Sequence, residues 1–324
     1  MTPETVVRLA ASTPHLTQLT LSGGFLLTDD ALASALSHWP RLTLLTIEHV
    51  PKLGAATIQA LAAHCLALQS LRLHFCSRLT DEQWRPIAQL KALVKVSLDG
   101  TTSLTSAAFT ETLFPHVGAQ LRVLKVGNLA AEVLNESVFA SLVAHLLADR
   151  EAVPLQKLCL TWTPGVCDGC IQQLQGNVTG LTTLHIERTL SMTPSVLNTF
   201  IKSNPRLRSL VLDSCLHEHD HEDMESMLLQ PDSPHQLTDV NVSWARGVSD
   251  VILEGLVRKN PSLKQVSVWG CHRVTPWWTR RVMRDGVPST AITARDKAAP
   301  SKAEDDDLAS RRFVQITGGP LLED

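Results

Sequence analysis

An α/β solenoid, with one parallel sheet on its inner face and a helix per turn outside it, is the fold class that three features of this sequence predict. The first is a pattern, L-x-x-L-x-L with Val and Ile allowed, that starts at Leu16, Leu42, Leu68, Leu93, Leu121, Leu155, Leu181, Leu207, Leu237 and Leu263. The steps between starts are 26, 26, 25, 28, 34, 26, 26, 30 and 26 residues. A period of this size marks stacked supersecondary units. The second is an aliphatic residue eleven positions after the start in eight of the ten units, usually followed by Thr, Ser, Asp or Pro. The third is composition: 44% apolar, 19% charged, 4% aromatic and no tyrosine, which allows a large core but makes it an aliphatic one.

Each unit then follows from elementary geometry. Side chains alternate faces along a strand, so the second and third pattern residues, such as Leu71 and Leu73, point inward. The chain turns away eight positions after the start, where Cys76, Cys215 and Cys271 stand. The Thr, Ser or Asp after the aliphatic caps a helix, as in Leu27-Thr28-Asp29 and Val248-Ser249-Asp250, and Pro suits its first turn, as in Met192-Thr193-Pro194. That helix crosses the outer face, and the next strand joins in parallel. One unit alone cannot bury its apolar face, so neighbours stack into a continuous core.

Taken in order, the chain opens in mid-repeat. Met1-Thr2-Pro3-Glu4 lines up with Met192-Thr193-Pro194-Ser195, a helix without its own strand, and no polar cap covers the first repeat. This leads us to expect that the native polypeptide continues upstream. The unit from Leu121 is eight residues longer than the common 26, with the excess around Ala130–Pro154, and the unit from Leu207 is four longer, around His217–Pro234. Thr275–Asp285 is expected to form a last helix. The solenoid is expected over 1–288, with a disordered tail over 289–324 that includes Glu304-Asp305-Asp306-Asp307.

Several function classes are disfavoured. A net charge of −3 does not mark the whole chain as a nucleic-acid binder. The N-terminus lacks a basic region followed by an apolar stretch, so no signal peptide is expected, and no run of 18 apolar residues offers a membrane span. Seven cysteines, an odd number, read as reduced thiols of the nucleus or cytoplasm. No G-x-S-x-G, G-x-x-x-x-G-K-[ST], G-x-G-x-x-G or H-E-x-x-H occurs, so no enzyme, cofactor or metal is expected. Two runs invite metal chemistry. His217-Glu218-His219-Asp220-His221-Glu222-Asp223 would set three imidazoles on one face if extended, but reads first as a hydrated expansion before a helix. Cys167-Asp168-Gly169-Cys170 has C-x-x-C spacing but no second pair, and reads as an ordinary helix start.

The informative surface is the concave sheet face, formed by positions two, four and six after each start. Through the middle repeats it carries Arg72, His74, Lys95, Lys125 and Lys157, then His185, Glu187, Asp213 and Asp239, ending near Trp269. A basic half thus gives way to an acidic half along a face of the kind solenoids use to grip extended protein partners.

The unit LQSLRLHFCSRLTDEQWRPIAQLKA at 68–92, LRSLVLDSC at 207–215, and Pro40, Pro205 and Pro261 two residues before their starts resemble the cysteine-containing class of leucine-rich repeat. That class is typical of F-box substrate receptors and their relatives with a ribonuclease-inhibitor-like fold. VSLDGTTSLT at 96–105, HVGAQLRVLKVGN at 116–128 and VSVWGCHRVT at 266–275 resemble the leucine-rich-repeat subunit of the fungal global-genome nucleotide-excision-repair complex. The resemblance implies a non-catalytic substrate-recognition subunit of a cullin-type ubiquitin ligase, with the target on the concave face. Ligase adaptor or cullin would be contacted through a region outside this chain. The alternative is a ligase-independent scaffold or GTPase-regulator-like adaptor on the same solenoid, because fold alone does not separate these. Direct nucleic-acid binding through Arg72, Lys95, Lys125 and Lys157 is not expected, given the acidic second half.

Overall fold

The computed structural model describes residues 2–148, 155–189, 192–216 and 219–275, and the backbone of 291–293. It is one parallel sheet of eleven strands in sequence order. The strands are Gln18–Ser22 (β1), Leu44–Glu48 (β2), Ser70–His74 (β3), Lys95–Asp99 (β4), Val123–Gly127 (β5), Lys157–Thr161 (β6), Thr183–Glu187 (β7), Ser209–Asp213 (β8), Asp239–Asn241 (β9), Gln265–Ser267 (β10) and Ala291–Thr293 (β11). Each of the first ten begins two residues after a pattern leucine. The eleventh pairs with β10 at Val266↔Ile292, so the sheet runs past the boundary expected at 288. No leucine announces it, which is why the pattern stops one strand short.

Among the described residues ten α-helices cross the outer side: Pro3–Ser12 (α1), Asp29–Leu36 (α2), Ala55–His64 (α3), Asp81–Trp84 (α4), Phe114–Val117 (α5), Glu136–Ala148 (α6), Asp168–Leu174 (α7), Pro194–Lys202 (α8), His221–Leu228 (α9) and Asp250–Lys259 (α10). The strandless opening helix is α1, with Thr2 accepting from the Thr5 amide and Pro3 in its first turn. The thirteen-residue α6 takes up part of the long unit. In the two units that lack the expected aliphatic, a buried residue followed by a capping side chain is present but displaced, and in the second that residue is a histidine. Buried Leu134 precedes Asn135, whose Oδ1 accepts from the Ser137 and Val138 amides, and buried His219 precedes the cap Asp220. The helix expected over 275–285 lies outside the described residues except for Thr275.

The core lies between sheet and helices. Both inward residues of every strand from β1 to β8 are buried, as are Val240 and Val266. Leu71 and Leu73 are fully enclosed. Cys76, Cys215 and Cys271 explain their repeat class: each thiol donates back to a carbonyl of the preceding unit, Ile47 (3.9 Å), Ile186 (3.6 Å) and Val242 (3.2 Å). Burial raises all three thiols, Cys76 and Cys271 to about 11, so they stay protonated donors.

The caps differ from expectation in one respect. Thr28 caps its own helix, accepting from the Ala31 amide at 3.3 Å. At Thr105, Thr193 and Thr275, by contrast, amide and hydroxyl both donate to an aspartate of the preceding unit: Asp81, Asp168 and Asp250, at 2.5 to 2.8 Å. A carboxylate is the stronger acceptor and takes the hydroxyl proton. Asp29 does the same where its neighbour has no capping side chain. It accepts from the amides of Gly54, Ala56 and Thr57 at 2.9, 2.9 and 3.0 Å and from the Thr57 hydroxyl at 2.6 Å.

The residue seven positions after each start is left-handed in all ten units, with φ between 50° and 69°. It is the hinge at which the chain leaves the sheet. Glycine holds it at Gly23, Gly100 and Gly270; His49, Phe75, Asn128, Trp162, Arg188, Ser214 and Trp244 hold it elsewhere.

Candidate protein-binding face

Register places the concave side chains in three rows running across the strands. Arg72, Ser97, Lys125, Cys159 and His185 are consecutive partners in the middle row. Lys95, Val123, Lys157 and Thr183 are consecutive in the row at the strand starts, which reaches Asp239 through Ser209. Glu48, His74, Asp99, Gly127, Thr161, Glu187 and Asp213 form the row at the strand ends. Nine of the ten expected residues therefore stand on the same face of the sheet, and Trp269 follows two residues after β10. Lys95 is exposed and the other nine are half-buried.

The charge layout differs from the expected division along the solenoid. Glu48 and Asp99 lie within the basic half. Cations occupy the first two rows between β3 and β6, while four of the five carboxylates stand at the strand ends, Asp239 being the exception. Sign is thus divided across the sheet as well as along it. Reading the sixth position in every unit, rather than picking out the cations of the middle repeats, finds both missed carboxylates.

The two histidines on this face have opposite environments. His74 Nε2 meets Ser97 Oγ at 2.9 Å and Nδ1 stands 3.5 Å from Glu48. Burial lowers its pKa below 6.5, against the opposing pull of Asp99 and Glu48. His185 Nε2 stands 3.3 Å from Glu187 Oε2. Burial would lower it too, but hydrogen bonds to Cys159 and Glu187 prevail and hold it up at about 9. Glu187 is lowered in turn, chiefly by His185 and against its own burial, and Arg188 Nε lies 3.8 Å from its Oε1. Asn241 Nδ2 and the Ser214 hydroxyl donate to Asp213, and the Asn128 amide donates to Asp99. These carboxylates are held by neutral donors.

The runs that invited metal chemistry have structural places. His219 is buried ahead of α9, His221 opens that helix, and Asp220 and Asp223 cap one another's amides at 3.0 and 3.1 Å. His217 and Glu218 lie outside the described residues. Cys167 is the residue ahead of α7, with its Sγ 3.7 Å from that of buried Cys170. Among the described residues no group of three or more His, Cys, Asp or Glu is placed to hold a metal, and no helix is long and apolar enough to cross a membrane.

Beside the strand-end row, aromatic side chains reach solvent from the left-handed positions. Phe75 is 43% exposed and stacks on His49 with ring centroids 4.6 Å apart. Trp162 is 48% exposed with the Arg188 guanidinium 4.2 Å from its ring centroid, and Trp244 is 41% exposed. The alternation of inward and outward positions ends at the sixth residue, so strand periodicity does not reach these.

No family model matches the chain. Over 271 residues it is 25% identical to DNA repair protein rhp7 of Schizosaccharomyces pombe, a match covering 80% of this chain and 46% of that protein. The chain thus spans about half the length of this curated relative. A chain of the solved yeast Rad7–Elc1 complex superposes with a TM-score of 0.57 at 18% identity, covering 91% of this chain and 89% of the other. That superposition agrees with the sheet order and the period on the fold. The chain is a leucine-rich-repeat solenoid, similar in sequence to a fission-yeast DNA repair protein and in fold to a chain of the yeast Rad7–Elc1 complex.

Proposed function

We propose that this chain is the target-binding part of a substrate-recognition subunit of a cullin-type ubiquitin ligase that serves nucleotide excision repair. The observation that carries the proposal is the likeness to a DNA repair protein over 80% of the chain. A continuous concave face with ordered charge supports it. The mechanism is positional. The face holds a protein target, and partner subunits bring the activated ubiquitin close enough for a target lysine to react, so that this chain supplies proximity and orientation. Arg72 and Trp269, of the residue types that dominate interface energies, are the expected anchors. Localisation is then nuclear.

Affinity capture of the endogenous protein, followed by mass spectrometry, tests the reading. Cullin or adaptor subunits together with excision-repair factors are expected. Recovery of neither class overturns the proposal and favours a free-standing scaffold. Reversing the charge of Lys95 and Lys125 together should weaken target capture while leaving the circular dichroism spectrum unchanged; undiminished capture removes those lysines from the site.

A further inference from the structure

We infer that the rim beside the strand ends, formed by Phe75, Trp162 and Trp244 with Asp99, Glu187 and Asp213, docks an extended peptide segment that carries arginine or lysine at about every fourth residue. The inference rests on the reading of the chain as a protein-binding solenoid and names the chemistry of its partner; ligase membership does not enter it.

The three rings stand at a hinge that other units fill with glycine, asparagine or serine. Each occupies a left-handed position, φ 55° for Phe75, 51° for Trp162 and 65° for Trp244. Bulky side chains are rare outliers there and strain the backbone, and glycine or asparagine serves the same hinge in other units. The rings do not offset that strain by burial, since each is close to half exposed. Two of them are laid flat on the next unit. A Cβ at Gly100 would come within 2.6 Å of the Phe75 ring, and one at Gly270 within 2.3 Å of the Trp244 ring. Glycine at the following hinge therefore gives each of these two rings a backbone floor; the His49 ring lies against Phe75 as well, and Phe75 and Trp244 remain 43% and 41% exposed.

The spacing is regular. The rings follow β3, β6 and β9, three strands apart. At about 4.8 Å per strand, successive rings are roughly 14 Å apart, which an extended peptide covers in about four residues. Residues four apart in an extended chain point the same way.

Charge selects the partner. The neighbouring row carries Asp99, Glu187 and Asp213, which attract cations and repel phosphates. The molecule already displays the interaction within itself: Arg188 lies over Trp162, with Glu187 3.8 Å from its Nε. Phe75, with Asp99 on the next strand, would offer an incoming guanidinium an exposed ring beside a carboxylate, and Trp244, whose next-strand neighbour is Trp269, would offer an exposed ring.

Fluorescence anisotropy on the full chain tests this. The probe is a labelled sixteen-residue peptide with arginine at every fourth position and glycine or serine between; glutamate in place of arginine gives its acidic counterpart. Saturable binding of the basic peptide is expected, at least about tenfold tighter than of the acidic one and at least about tenfold weaker in Phe75→Asn/Trp244→Asn. Asparagine adopts positive φ readily, so the melting temperature of that variant should hold or rise, which separates loss of the site from loss of the fold. Equal affinity for the two peptides, unchanged binding by the double variant, or no binding at all overturns the inference. Tighter binding of a sixteen-nucleotide oligothymidylate, lost in the same variant, reassigns the rim to nucleic acid. Peptide binding without ligase subunits in the capture experiment leaves this inference standing and defeats the ligase reading; the reverse pattern does the opposite.

Discussion

At the scale of single residues, the contacts that join one unit to the next are polar and directional. The Asp29 carboxylate takes three amide protons and one hydroxyl proton at the start of α3, whose cap is Gly54. Asp29→Ala leaves those part-buried donors without their acceptor. The expected loss in urea unfolding is about 1–3 kcal/mol, while Asp30→Ala on the exposed side of the same turn should stay within about 0.5 kcal/mol. The histidines of the concave face make a second test. His74 should titrate below 6.5 and His185 near 9 when their ring protons are followed by NMR, and Glu187→Gln should bring His185 down toward 6.5. The stability consequences follow by sign. The raised pKa of His185 gives a contribution present below 6.5 that is lost as pH climbs through about 9. The lowered Glu187 contributes above the ordinary carboxylate range and loses that contribution in acid. Lowered His74 acts the other way from His185: the fold loses stability as pH drops below 6.5, because the unfolded chain binds that proton more readily.

At the scale of elements, a strand and its helix are legible in the sequence because each rests on a strong periodic signal. The pattern leucines lead all ten of the strands they predict, and the inward pair follows from alternation alone. Leu73→Ala in β3 removes a fully buried side chain and should cost about 2–5 kcal/mol in urea unfolding. Legibility fails where contacts come from another unit. Nothing near Thr105 says that its hydroxyl serves Asp81, 24 residues back. The hinge residues are equally opaque, since Gly23, His49, Phe75 and Trp162 share a backbone conformation and no chemical type. The strand at Ala291–Thr293 carries no leucine, being placed by hydrogen bonding to β10.

At the scale of the whole molecule, the α/β solenoid was readable in full outline, and the concave face could be assigned residue by residue from position within the repeat. The sign pattern on that face was readable only in part. The lysines and arginine of the middle units define a basic stretch, whereas Glu48 and Asp99 stand at the strand ends, where register and not local sequence puts them beside it. In a stack where each unit touches its neighbours, a local defect stays local. Hydrogen exchange on Leu73→Ala should therefore speed at the amides of β2, β3 and β4 and leave those of β8 and β9 at their original rates. Uniform acceleration across the sheet would mean that the units unfold as one block.

The aspartates that reach forward and the thiols that reach back make the units unequal as modules. Gly54 can begin α3 only because the preceding unit lends it a carboxylate. A gene duplication copying the Asp29 and Gly54 units together would carry donor and acceptor as a set and could spread unnoticed. Copying the Gly54 unit alone would place behind the new Gly54 a neighbour with Ala55 in the place of Asp29, and its helix would begin with bare amides. A solenoid wired in this way lengthens most readily in pairs, and anyone shuffling its units into a designed array should cut between partners that share no carboxylate.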